Sequence, residues 1–199
     1  MFELTAALIV FLFPLAYSPG PGNMFFAANG ARFGFAATLP ASVGYHVATL
    51  LVTLAIGFGF ETTLQRSPIL FQVIKWAGSA YVLYLAWKLF RAHAIDKVGE
   101  ARPAGMWGGA VLLLLNPKAY VIIALMFSQF LEVAASSGEV IAVGWISSVF
   151  TLNNLVAFTV WTLVGGQIAG LFRDEAQAHL LNRVFGSVLA LVALWMMFG

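Results

Sequence analysis

Two polar interruptions lie inside long apolar runs of this sequence, and both carry groups that can bind a charged small molecule. The first is Ser18-Pro19-Gly20-Pro21-Gly22-Asn23, within an apolar run from Leu4 to about Ala31. Each proline removes a backbone donor and each glycine weakens a helix, so one regular helix cannot continue through this stretch. A helix that stops here leaves free N–H groups at one half-helix end and free carbonyls at the other.

These two kinds of helix end suit opposite charges. The N–H end favours a carboxylate and the carbonyl end favours an ammonium group, so together they fit a zwitterion. A purely structural kink is the alternative, since prolines are tolerated in transmembrane helices. The candidate substrate-binding residues of the first interruption are Pro19, Gly20, Pro21, Gly22 and Asn23.

The second interruption is Asn116-Pro117-Lys118, about ten residues into an apolar run from Met106 to Leu131. At about 1.5 Å per helical residue, this position is near the centre of a bilayer. A lysine there costs at least ~2.5 kcal/mol and therefore requires water or a partner. A substrate carboxylate or the carbonyls of the interruption would serve. The alternative is a lysine that reaches the interface along its aliphatic chain.

Four further side chains with polar groups, inside the apolar runs, are candidates to face a cavity. Asn153 and Asn154 are adjacent, so they cannot face the same way, and we expect at least one to face a cavity while the other can bond a neighbouring helix. His46 titrates near neutrality when unperturbed and is the candidate proton carrier, with a hydrogen-bonded packing histidine as the alternative. Tyr45 can line a cavity or belong to an aromatic belt.

The composition shows which elements must position these residues. Hydrophobic residues make up 61% of the 199 and charged residues 9%, whereas soluble domains are about a quarter charged. Six apolar runs long enough to span a bilayer are predicted, all helical. They cover about 2–31, 37–60, 69–90, 106–131, 140–166 and 180–198. There is no cysteine, which excludes disulfides and Cys-based metal or thiol sites, and there is no basic run of the nucleic-acid type. We expect no metal, no cofactor and no nucleic acid.

Lysine and arginine predict the orientation, because they concentrate in cytoplasmic loops. Seven lie in or beside the first, third and fifth loops and two lie on the opposite side. The loop at 91–106 is therefore predicted to be cytoplasmic, and both termini are predicted to be extracytoplasmic.

Matching segments recur in the two halves of the chain. The pattern of Lys75-x-x-Gly78-Ser79 returns as Arg183-x-x-Gly186-Ser187, and both interruptions contain proline. We interpret this as one transmembrane domain over 1–199 with three-helix halves at about 1–92 and 103–199. An odd number of helices per half makes the halves inverted, with helices 1 and 4 broken, as in secondary transporters. Chance coincidence in a biased composition is the alternative.

A family resemblance rests on three motifs. Pro19-Gly20-Pro21 with Asn23, the stretch Lys75 to Lys88, and Leu115-Asn116-Pro117-Lys118-Ala119 closely resemble the LysE/RhtB family of amino-acid exporters. Membership would imply a bacterial inner-membrane exporter of amino acids or related metabolites, driven by the proton gradient. Many members have Asp where this chain has Gly22, so any role for an acidic group there is lost.

The predicted function is a multi-pass secondary transporter rather than an enzyme. An intramembrane enzyme would require a nucleophile and base or a metal cluster, and His46 has no partner at metal-binding spacing. The alternative is a non-transporting subunit or assembly factor of a larger complex. Without acidic groups in its core, the predicted partners are a neutral or small polar amino acid and the lipid bilayer. The sequence leaves a homodimer open.

Overall fold

The structure is a computed structural model that describes residues 2–60, 68–91, 102–135, 138–171 and 175–198. Helices joined by short connections make up these ranges, and no strand occurs within them, which confirms the predicted all-α class. The helices are α1 (Phe2–Tyr17), α2 (Pro21–Ala55), α3 (Pro68–Arg91), α4 (Met106–Leu114), α5 (Pro117–Ala134), α6 (Glu139–Leu171) and α7 (Glu175–Phe198). A π-helical turn, Ile56–Phe60, continues α2.

Prolines begin the helices that follow both polar interruptions. Residues 18–20 lie between α1 and α2, and α2 begins at Pro21; likewise α5 begins at Pro117. Proline suits the first helical turn because no intrahelical donor is lost there. The irregular backbone is therefore shorter than the sequence suggested. Residues 21–23 and 117–118 form first turns of helices instead of extending the interruptions.

Gly34 and Gly138 have left-handed backbone, and each directly precedes a helical segment. Gly34 has φ +81° and bends α2, so that residues 21–33 and 35–55 form two helical segments. Gly138 has φ +100° and directly precedes α6. Glycine reaches this conformation without the steric penalty of a Cβ atom.

Three described helical stretches are long and apolar enough to cross a bilayer: Pro21–Gly59, Pro117–Ala134 and Glu139–Ala169. Shorter apolar helices cover Phe2–Tyr17 and Arg183–Leu194. The chain is thus that of a membrane protein. Helix α7 begins at Glu175, five residues before the apolar run predicted at about 180–198.

Helix α2 occupies the centre of the packing. It packs most extensively against α6 and also against α4, while α3 packs against α7. Glycines allow the closest approaches: Gly44 of α2 lies on the backbone carbonyl of Met106, and Gly30 on that of Thr162. Small residues at such contacts are typical of helix packing in membranes.

The buried apolar side chains form two main clusters. The first includes Phe26, Tyr45 and Phe158. The second includes Ile122 and Phe150, together with other residues of α1, α5 and α6. The polar interruptions lie where these two clusters meet, and this position brings their polar groups together.

Candidate functional site

A small cavity lies between the two apolar clusters, beside both polar interruptions. Its empty volume is about 270 Å³ including its mouth, and the enclosed part has room only for water-sized molecules. Its polar lining comes from Asn23, Tyr45, Asn116, Lys118 and Asn154. Its apolar lining comes from Leu15, Ala16, Ala119, Ile122, Phe150 and Phe158. No acidic side chain lines it in the part of the chain that the structure describes.

Lys118 joins the two interruptions across the cavity. Its Nζ donates to the backbone carbonyl of Ser18 at 3.0 Å and to the Ser18 hydroxyl at 2.9 Å. A Cβ at position 20 would lie 3.0 Å from this Nζ, so Gly20 leaves room for the ammonium group. An ammonium group has three donors, and Ser18 accepts two of them. One donor of Lys118 remains available to a ligand.

The carbonyls at the C-terminal end of α1 are already bonded to side chains. Asn23 donates its Nδ2 to the carbonyl of Ala16 at 2.9 Å, and Trp161 of α6 donates to the carbonyl of Tyr17 at 3.2 Å. Because Lys118 donates to the carbonyl of Ser18, the three successive carbonyls of residues 16, 17 and 18 all have hydrogen-bond partners. Orphan carbonyls at a helix end need such partners where water is excluded. The carbonyl end that we expected to bind an ammonium group is therefore satisfied by the protein itself.

Asn116 presents a buried oxygen atom that has no partner. Its Nδ2 donates to the hydroxyl of Tyr45 at 3.1 Å, and its Oδ1 has no hydrogen bond among the described residues. The side chain of Asn154 also lies close to the Tyr45 hydroxyl. A buried acceptor without a partner costs free energy, and a polar cavity supplies it with water or a ligand.

His46 lies behind the cavity wall. Its Nδ1 is 2.7 Å from the carbonyl oxygen and 3.3 Å from the hydroxyl of Ser42, and the tautomer protonated on Nδ1 donates to this carbonyl. Its buried Nε2 has no hydrogen bond among the described residues. The ring packs against Tyr45 and Phe158, with centroid distances of 5.3 and 5.5 Å. Since both of these aromatic residues line the cavity, His46 is one side chain away from it.

The structure brings together four of the predicted site residues and leaves the others outside the cavity lining. Asn23, Asn116, Lys118 and Asn154 face one space. Gly20 and Gly22 do not line this space but pack against residues that do. A Cβ at position 22 would lie 2.6 Å from Cζ of Phe158, so only glycine leaves room for this ring. Pro19 is exposed, Pro21 and Pro117 begin helices, and half-buried Asn153 does not line the cavity.

Comparison with known proteins decides which family this site belongs to. The family model described as LysE type translocator matches residues 13–199, which is most of the chain. The chain belongs to the LysE family. Its motifs at Pro19 and Asn116 thus lie in a translocator, as the sequence predicted, and not in an enzyme.

Relatives of this LysE-family chain include proteins with transport names. The homoserine/homoserine lactone efflux protein of Salmonella typhimurium is 25% identical over 89% of this chain and 88% of its own. The cysteine/O-acetylserine efflux protein of the same organism is 26% identical over 85% and 86%. An uncharacterized membrane protein of Vibrio cholerae is 28% identical over 93% and 91%. No solved structure matches the chain.

Sequence reasoning missed Phe158 in this LysE-family site and left Tyr45 open. The structure places Tyr45 at the cavity, 2% exposed, and not in an aromatic belt. Phe158 gave no signal, because one phenylalanine in an apolar run resembles any other. Glycine at position 22 was the available clue, since a missing side chain leaves space for a neighbour.

Proposed function

We propose that this LysE-family chain is a secondary transporter that exports neutral or small polar amino acids, or related small metabolites, across the bacterial inner membrane. The observation that carries this proposal is the cavity in which Lys118 offers a free donor and Asn116 a free acceptor. A ligand with a carboxylate and an ammonium group complements both, and it would bind towards the open mouth of the cavity, since the enclosed part has room only for water-sized molecules.

The carboxylate of the substrate binds Lys118 in this proposal. Within the described ranges, the cavity lining offers the ammonium group of Lys118 no acidic partner, and its third donor remains after Ser18 accepts two hydrogen bonds. An anionic ligand would thus neutralise a charge that is costly at the bilayer centre. A charge-assisted hydrogen bond from an ammonium to a carboxylate is about twice as strong as a neutral one.

The substrate ammonium group binds the Oδ1 of Asn116. This oxygen is buried, lacks a partner, and is held in place by the hydrogen bond between Nδ2 of Asn116 and Tyr45. An amide oxygen carries only a partial negative charge. It can accept a hydrogen bond from the α-ammonium group of the substrate, but it cannot also neutralise a cationic substrate side chain. A neutral substrate is supported by the lining itself: among the residues that the structure describes, no carboxylate lines the cavity to pair with a lysine or arginine side chain.

The substrates in the names of the relatives are of the same chemical class. They specify homoserine, homoserine lactone, cysteine and O-acetylserine, which are small and polar. We extend the class, but not a particular member, to this chain.

Six spans in two inverted halves, about 1–92 and 103–199, complete the proposed architecture. Two correspondences support it: Pro21 and Pro117 each begin the helix after an interruption, and Gly34 and Gly138 each precede the next helical segment. In inverted-repeat transporters such matched interruptions lie at the midplane substrate site. The excess of lysine and arginine in the first, third and fifth loops supports extracytoplasmic termini.

Proton coupling is part of the proposal, with His46 as the carrier. Its buried Nε2 has no hydrogen bond to any residue that the structure describes, and its ring contacts two cavity-lining aromatic residues. Protonation of His46 would place a positive charge next to Tyr45 and Phe158, and these two residues connect His46 to the cavity that they line.

Transport by the purified protein in lipid vesicles tests the proposal. We expect labelled homoserine or threonine to move, faster under an imposed pH gradient, and in preference to lysine and arginine. A preference for lysine or arginine would contradict the neutral-substrate proposal. Absence of movement over a full amino-acid panel, by protein shown to be folded and inserted, would contradict the transporter itself.

A further inference from the structure

We infer that Phe158, seated on Gly22, sets the upper size limit of the substrate side chain. This inference rests on the proposed function, because it concerns which amino acids the cavity admits. It assigns to Phe158 a specificity role that is separate from the polar groups that bind the zwitterion.

The position of Phe158 depends on the missing side chain at position 22. A Cβ on Gly22 would lie 2.6 Å from Cζ and 2.9 Å from Cε2 of the Phe158 ring. The ring therefore lies directly on the first turn of α2, one residue before Asn23. Any larger residue at position 22 would force the ring to move.

Aromatic neighbours hold the ring on its other sides. Its centroid is 4.7 Å from that of Tyr45 and 5.0 Å from that of Phe26. Phe158 is only 3% exposed and still lines the cavity. A side chain packed in this way has little freedom to rotate away from an entering substrate.

The ring also lies beside the polar end of the cavity. Phe158 follows Asn154 by four residues on α6, so both project from one helical face. Tyr45, which packs on the ring, holds the Asn116 amide. A substrate whose ammonium group is at Asn116 is therefore bound close to the Phe158 ring. Its side chain must fit in the space that this ring leaves.

Shortening Phe158 tests the inference. We expect Phe158→Leu and Phe158→Ala to raise the transport of leucine relative to homoserine by roughly tenfold or more, since a misfit of one methylene or more in a pocket is worth ~10- to 200-fold. Gly22→Ala alone should slow transport of both amino acids, because the added methyl group pushes the ring. Gly22→Ala in the Phe158→Leu background should have a much smaller effect.

A matched pair elsewhere in the fold controls for general loosening. Phe127 is seated on Gly57 in a similar way, with a position-57 Cβ at 2.9 Å from its Cε1. Phe127 is buried in the second apolar cluster and does not line the cavity. Phe127→Leu should leave the leucine-to-homoserine ratio within about twofold of the original.

The outcomes separate this inference from the proposed function. If the unaltered protein and Phe158→Leu both transport homoserine with the same leucine-to-homoserine ratio, the size-limit inference is wrong and the transporter stands. An equal rise in Phe127→Leu also overturns it. If the unaltered protein moves no amino acid, the proposed function fails first. Folding is checked by monodispersity in detergent, and Phe158→Met replaces any variant that does not fold.

Discussion

Replacing Lys118 distinguishes substrate binding from structural support more sharply than any other substitution. In Lys118→Ala, two hydrogen bonds from the ammonium group to Ser18 disappear. Each such bond to a charged group contributes about 1.5–3 kcal/mol, so the loss is about 3–6 kcal/mol. Removing the charge from the bilayer centre returns about 2.5–3.5 kcal/mol. The expected net destabilisation therefore lies between about zero and 3.5 kcal/mol, and the variant should still fold and insert.

The effect on transport should be larger than the effect on stability. If the third donor of Lys118 binds the substrate carboxylate, its loss costs about 1.5–3 kcal/mol of binding, or roughly ten- to hundredfold in transport at low substrate concentration. The measurement pairs initial transport rates in lipid vesicles with thermal unfolding in detergent. Rates are normalised to the amount of inserted protein.

Two companion variants define the interpretation. Ser18→Ala removes one of the two acceptors and keeps the charge of Lys118. The transport rate should therefore stay within about twofold, and the free energy of unfolding should fall by no more than the contribution of one such hydrogen bond, about 1.5–3 kcal/mol. Lys118→Arg keeps the charge but requires space for a planar fork, which the contact with Gly20 restricts, so transport should fall. A stable Lys118→Ala protein with normal transport would remove this lysine from the site. A labile one with normal transport would assign it to structural support alone.

Three further predictions follow from the packing and the polar contacts. Gly44→Ala should lower the free energy of unfolding by about 1–3 kcal/mol, because the added methyl group meets a backbone carbonyl of α4. The control Gly144→Ala places its methyl group in open space, so it should be neutral or stabilising by up to ~1 kcal/mol. Tyr45→Phe should cost about 1–3 kcal/mol in stability or in substrate affinity, since it leaves the Nδ2 of Asn116 unpaired; unchanged unfolding and transport would contradict this. His46→Gln should retain downhill substrate movement but lose the acceleration by an imposed pH gradient, and undiminished acceleration in vesicles would exclude this residue as the carrier.

The sequence alone predicted the class of the protein and where its helices are interrupted. Apolar runs of bilayer length and very few charges leave only helices as a way to satisfy the backbone in lipid. The cluster of prolines and glycines at Pro19 to Gly22, and Pro117 next to polar Asn116 and Lys118, favoured an interruption, whereas the isolated Pro14 and Pro40 lie inside helices. Local chemistry was sufficient for these conclusions, and the resemblance to LysE exporters rested on the same two interruptions together with the stretch Lys75 to Lys88.

Only the tertiary structure decided which polar groups are free to bind a ligand. The sequence could not show that Lys118 donates to Ser18, 100 residues away in the chain. Nor could it show that Nδ2 of Asn116 donates to Tyr45 while its Oδ1 has no hydrogen bond among the described residues. It also could not show that Phe158 occupies the space above Gly22. Each of these contacts joins residues far apart in sequence. They depend on how α2, α5 and α6 cross, and this crossing is set by the sum of many small packing contacts and by no local pattern.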